Sequence, residues 1–190
     1  MFSPNIHDID EKKSRLQGMS GAGATGHPDY DPALIKHLMS DHAALRDLLI
    51  RLDDHARHRQ FAKIPGTLAR LRDGLMRHIE EENEHFYAYL FRSAANDGDA
   101  LEDLERTCAK MAGMARLALL FTRHYTEIGV TLLNRDAFSR DLEVISSLLA
   151  ERIELEETSL YALYRPQDRT RGNRVLRNDG SSLCGVCLKG

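Results

Sequence analysis

Three histidines and two glutamates, His42, His78, Glu82, His124 and Glu156, stand where the core stripe of a helix would otherwise carry an apolar side chain. Imidazole nitrogen and carboxylate oxygen together suit iron, manganese or zinc, and carboxylates can bridge two ions while histidines terminate each. His78 and Glu82 are spaced i, i+4, so both project from one helix face toward one ion. Arg152 interrupts a stripe in the same way, but a protonated guanidinium cannot ligate a metal. Polar groups inside a bundle cost several kcal/mol, about 2–7 for a neutral group, unless they are partnered. A single histidine on a helix seam is more often a hydrogen-bonded core residue than a ligand. Three on separate helices beside two glutamates point to a metal. The competing arrangement is a polar network in which Arg152 neutralises the glutamates without any ion.

Four amphipathic segments must position these groups. Asp31-Pro32 signals a helix start, and apolar Ile35, Leu38, Leu45, Leu49 and Leu52 carry helix 1 to about Arg57, with His42 filling the one gap in the 3-4 stepping. A second start at Ile64-Pro65 leads through Leu68, Leu71, Leu75, His78, Glu82 and His85 to Tyr89, ending near Asn96-Asp97-Gly98. The third stretch spans about Leu101 to Leu133 on the stripe Met114, Leu117, Phe121, His124, Ile128, with Gly113 a point where it can bend. The fourth runs from about Ala137 to Arg165, where Pro166 stops it, on Leu142, Ile145, Leu149, Arg152, Glu156 and Leu163. No useful strand alternation appears, and the expected fold is all-α, an antiparallel up-down-up-down four-helix bundle. At a rise of about 1.5 Å per residue, the interrupting residues of the helices fall at a similar height. One polar cluster in the middle of the bundle follows.

The stretch beginning at His78 lines up with the stretch beginning at Arg152: Ile79 with Ile153, Glu80 with Glu154, Glu82 with Glu156, Tyr87 with Tyr161 and Ala88 with Ala162. The first helix pair is echoed by the second, with His42 the counterpart of His124. With Ser40-Asp41-His42, His78-x-x-x-Glu82 and its following aromatic pair, His124, and Glu156-Glu157 ahead of Leu160-Tyr161, the sequence resembles the hemerythrin-like, or HHE cation-binding, family over about residues 32 to 165. That resemblance implies a bundle enclosing a non-haem di-iron centre, one histidine from each helix and two bridging glutamates. It also implies oxygen or nitric oxide binding, iron sensing, or repair of damaged iron centres. The departure is Arg152, which stands where the family carries its helix-4 histidine. A mononuclear or asymmetric centre is therefore expected as readily as a dinuclear one, with Arg152 pairing with Glu156 or Glu82 in place of a second iron.

The 190 residues fit one domain, 42% hydrophobic and 29% charged. The bundle is expected over residues 31–166, after a small-residue leader at 1–30 and before a basic tail at 167–190. No apolar run suits a membrane span or a secretory signal, and three cysteines build no disulfide framework, which indicates a cytoplasmic protein. A net charge of -3 gives no sign of nucleic acid binding. Cys184 and Cys187 have C-x-x-C spacing, weak evidence without a second pair. No nucleophile or general base declares itself, so an enzyme is not indicated. The expected function is a non-haem iron protein binding oxygen, nitric oxide or iron. The alternative is a metal-free interaction bundle that meets a protein partner through its tails.

Overall fold

The computed structural model of the chain describes residues 30–166. The leader, the basic tail, and with them His7, His27, Cys184 and Cys187, lie outside the described residues. Within them the fold is all-helical. Helix α1 spans Leu34–Arg57 and α2 spans Ile64–Glu81. A π-helical turn, Glu82–Tyr87, runs on from α2 without a break into α3, Ala88–Ala94. Helix α4 spans Gly98–Ile128, and α5, Arg135–Leu155, continues through a second π turn, Glu156–Leu160, into a 3₁₀ turn at Tyr161–Leu163. Four rods thus pack as a bundle.

Local chemistry sets the boundaries. Pro65 sits in the first turn of α2, where its missing N–H is no loss. Asp97 caps α4, its side chain accepting from the Ala100 N–H at 3.1 Å. Helix α4 runs through Gly113 unbroken and stops at Ile128, short of the expected Leu133, because Gly129 turns the chain at φ 69°. Asn134 then holds the loop, accepting from Thr131 N–H at 2.7 Å and donating to the Gly129 carbonyl at 2.8 Å. Replacing Asp97 by alanine should cost about 1 kcal/mol, readable as a lower urea midpoint at unchanged slope.

The core is divided in two. One apolar cluster fills the end of the bundle that holds Leu49, Leu68, Phe121, Phe138 and Leu149. The other fills the opposite end with Leu38, Phe86, Leu104, Leu160 and Tyr164. Between them lie the buried polar residues His42, His78, Glu82, Arg152 and Glu156. Each apolar layer carries folding stability, while the polar layer needs its own partners to be tolerated. Tyrosines close the second end over distance in sequence: Tyr164 accepts from the Asp31 N–H at 2.9 Å, and Tyr89 donates to the Arg165 carbonyl at 2.5 Å.

Candidate metal centre

Helix α1 supplies His42, α2 supplies His78, and the two π turns begin at Glu82 and Glu156. Their donor atoms all lie within 4.8 Å of one another, and all four residues are buried. His42 Nε2 is 3.1 Å from His78 Nε2 and 3.1 Å from Glu156 Oε2, and His78 Nε2 is 3.5 Å from Glu82 Oε1. Ligands of one ion with bonds of about 2.0–2.2 Å are separated by comparable distances. The two Nε2 atoms face each other, a contact that one shared proton can satisfy or that a cation between them satisfies better. Both oxygens of buried Glu156 lack a hydrogen bond, although charged neighbours stand at ion-pair distance. The donors present therefore fit a transition-metal cation.

A carboxylate stands behind each imidazole. His42 Nδ1 is 2.9 Å from Glu157 Oε1, and that carboxylate also meets Arg46 at 3.5 Å. The His78 Nδ1 faces Asp41 Oδ2 at 3.6 Å. The hydrogen bond to Glu157 fixes the His42 ring and leaves its Nε2 as the donor toward the cluster, whereas Asp41 stands just beyond hydrogen-bond length of His78. Tyr161 stacks on His42 at 5.8 Å between ring centroids, and its hydroxyl lies 3.3 Å from His42 Nε2 and 3.4 Å from Glu82 Oε1.

Arg152 occupies the other side of the two glutamates. Its Nη2 donates to Glu82 Oε2, its Nε is 2.8 Å from Glu156 Oε1, and its Nη1 donates to the Met111 carbonyl at 2.8 Å. Each carboxylate thus turns one oxygen to the histidines and one to the guanidinium, the division of labour of a carboxylate that bridges two cations. Burial alone would weaken the arginine's charge, but Glu82 and Glu156 outweigh it and push its pKa higher still. Burial likewise disfavours the Glu82 carboxylate, and Arg152 followed by His78 overcomes it, leaving the pKa below its usual value. At His78 burial opposes protonation, but the hydrogen bond and charge of Glu82 prevail and raise the pKa.

His124 is not part of this cluster. It lies exposed on α4, its ring edge against Tyr125, about 20 Å along the helix from the Met111 turn that faces Arg152. Of the expected stripe Met114 and Phe121 are buried, but Leu117 and Ile128 are half exposed, and the buried face is centred on Cys108, Met111, Ala115, Ala118, Thr122 and Tyr125. At the height of the site α4 therefore offers sulfur, methyl groups and a backbone carbonyl. His85, which the α-helical stepping placed on the seam, is exposed as well. Glu157, Asp41 and Tyr161 were legible only as parts of the short motifs, without the positions they take around the histidines.

The sequence model described as the hemerythrin HHE cation binding domain matches residues 33–164. Comparison with curated proteins and with solved structures finds no match.

Proposed function

Since this chain belongs to the hemerythrin HHE cation-binding family, we propose that it binds one divalent transition-metal ion, iron foremost and manganese or zinc by the same donors, through His42, His78, Glu82 and Glu156. The observation that carries this reading is the split of both glutamates between the histidine side and Arg152. A fixed cation already fills the position where a second metal would neutralise the carboxylates, so one divalent ion more than offsets the negative charge that remains and leaves none for a second. The two carboxylates and one guanidinium leave a net negative pocket, and two neutral imidazoles add donors without adding charge.

Iron held there would supply an open coordination position for a small diatomic ligand such as oxygen or nitric oxide. The chain's own residues prepare that position. Glu157 orients the His42 imidazole, Arg152 keeps Glu82 ionised, and the Tyr161 hydroxyl stands beside the donor set as a hydrogen-bond partner. Burial pushes the Tyr161 pKa far up, so the phenol keeps its proton and can donate it in a hydrogen bond.

Chelated protein titrated anaerobically with iron(II) should take up one tightly bound ion per chain. At about 100 times the dissociation constant, that ion should add about 2.7 kcal/mol of stability, visible as a raised unfolding temperature. His42→Gln should abolish the tight binding, and nitric oxide should change the visible absorption of the iron(II)-loaded protein alone. The second reading, a metal-free scaffold, is favoured by the pairing of Arg152 with both glutamates, which already gives the cluster an internal counter-ion. Uptake of no metal and an unchanged unfolding temperature would establish it instead.

A further inference from the structure

The donors of the buried cluster are at most 1% exposed, so a hydrated cation must shed its water before it reaches them. On the outer side of α1 and α2, His37, Asp41 and Glu81 form a second group with donor atoms within 4.8 Å of one another. His37 Nδ1 is 2.9 Å from Glu81 Oε1, with the two side chains 60% and 26% exposed. Asp41 and Glu81 directly precede His42 and Glu82, so each pair of neighbours turns one donor inward and one outward.

The buried His78 also faces this outer group. Its Nδ1 has no hydrogen-bond partner, and it faces Asp41 Oδ2 at 3.6 Å, beyond hydrogen-bond length. Asp41 thus stands between the outer group and the back of a ligand of the inner one. An open groove of about 490 Å³ between α1 and α2 reaches it, lined by Asp41, Asp47 and Asp73 with Arg70 and Arg77.

We propose that His37, Asp41 and Glu81 form an outer, exchangeable site for a divalent transition metal, and that this site loads the buried one. Two carboxylate oxygens and one imidazole match the charge and donor preference of manganese(II), iron(II), cobalt(II) or zinc(II), with water completing the shell. Three donors, one exposed and two half-buried, bind more weakly than four fully buried ones, as a transfer site requires. The loading role rests on the buried-site reading above, whereas the outer site rests on its own donors and on the unbonded His78 Nδ1 behind Asp41.

The test is manganese(II) titration of the chelated full chain, with bound ion counted by the loss of the free-ion magnetic resonance signal. Two classes are expected, one tight and one weak. His37→Ala and Glu81→Gln, both at the surface, should each remove the weak class, retain the tight one, and slow its filling about tenfold or more in stopped-flow mixing. Glu80→Gln, on the same helix, should change neither. A weak class that is absent, or indifferent to both substitutions, overturns the outer site. An unchanged filling rate overturns its loading role, and so does a weak class without a tight one, a result that also marks failure of the buried-site reading.

Discussion

Replacing Arg152 by methionine is expected to lower the unfolding free energy of the metal-free protein by about 3–5 kcal/mol, because it removes one partner from a buried charge network and strands the others. Glu82 and Glu156 are both fully buried, and Arg152 meets a carboxylate oxygen of each. Methionine is unbranched and flexible enough to fill the vacated volume, so most of the loss is electrostatic and not a cavity. The Met111 carbonyl also loses its donor. Saturating manganese(II) should restore more stability to the variant than it adds to the parent, since the added cation then neutralises carboxylates that have no other counter-charge. Urea unfolding followed by circular dichroism, with chelator and with metal, measures both quantities. A loss below about 1 kcal/mol, the scale of an exposed ion pair, would mean that the glutamates do not depend on the guanidinium.

The sequence reading has Arg152 pairing with Glu156 or Glu82, and the structure places the arginine against both. The four rods were legible for a plain reason: leucine stripes at 3-4 spacing and proline, glycine and asparagine punctuation are local signals. What failed was phase. On α4 two apolar stripes compete, one through Leu117 and Ile128 and one through Met111, Ala118 and Tyr125 with Phe121 buried beside it, and only packing decides between them. His124 followed the losing stripe outward.

A second source of error was the π turns. A π turn accommodates one extra residue, so side chains beyond it fall one position later than α-helical stepping predicts. After Glu82 the π turn buries both Phe86 and Tyr87 and leaves His85 outside, and after Glu156 it buries both Leu160 and Tyr161, with Tyr164 buried beyond it where Leu163 was expected. Both slips start at a cluster glutamate, at matching places in the repeat. The sequence repeat was visible, but the backbone device it encodes has no residue signature comparable to proline or glycine. Its consequence at the site is direct, since the slip after Glu156 brings Tyr161 beside His42 and Glu82.

The metal-free and metal-loaded proteins should respond to pH in opposite senses above the acid range. Glu82 has its pKa lowered on folding, burial being outweighed by Arg152 and His78. Its contribution to stability is therefore present above the unfolded value of about 4.3, and is lost as pH falls through the depressed folded value. His78 has its pKa raised, burial being outweighed by the hydrogen bond and charge of Glu82. Its contribution is full below the unfolded value of about 6.5 and is lost as pH rises through the folded value. For these two groups, metal-free stability should be greatest between about pH 4.5 and 6.5 and fall on either side. A cation must displace the His78 proton to reach Nε2, so below the raised pKa the observed metal affinity should climb about tenfold per pH unit and level off above it. Manganese(II) affinity measured from about pH 5.5 to 8, beside urea unfolding of the chelated protein over the same range, checks both limbs. A flat affinity would show that no proton leaves the donor set on binding, and would move the cation away from His78 altogether.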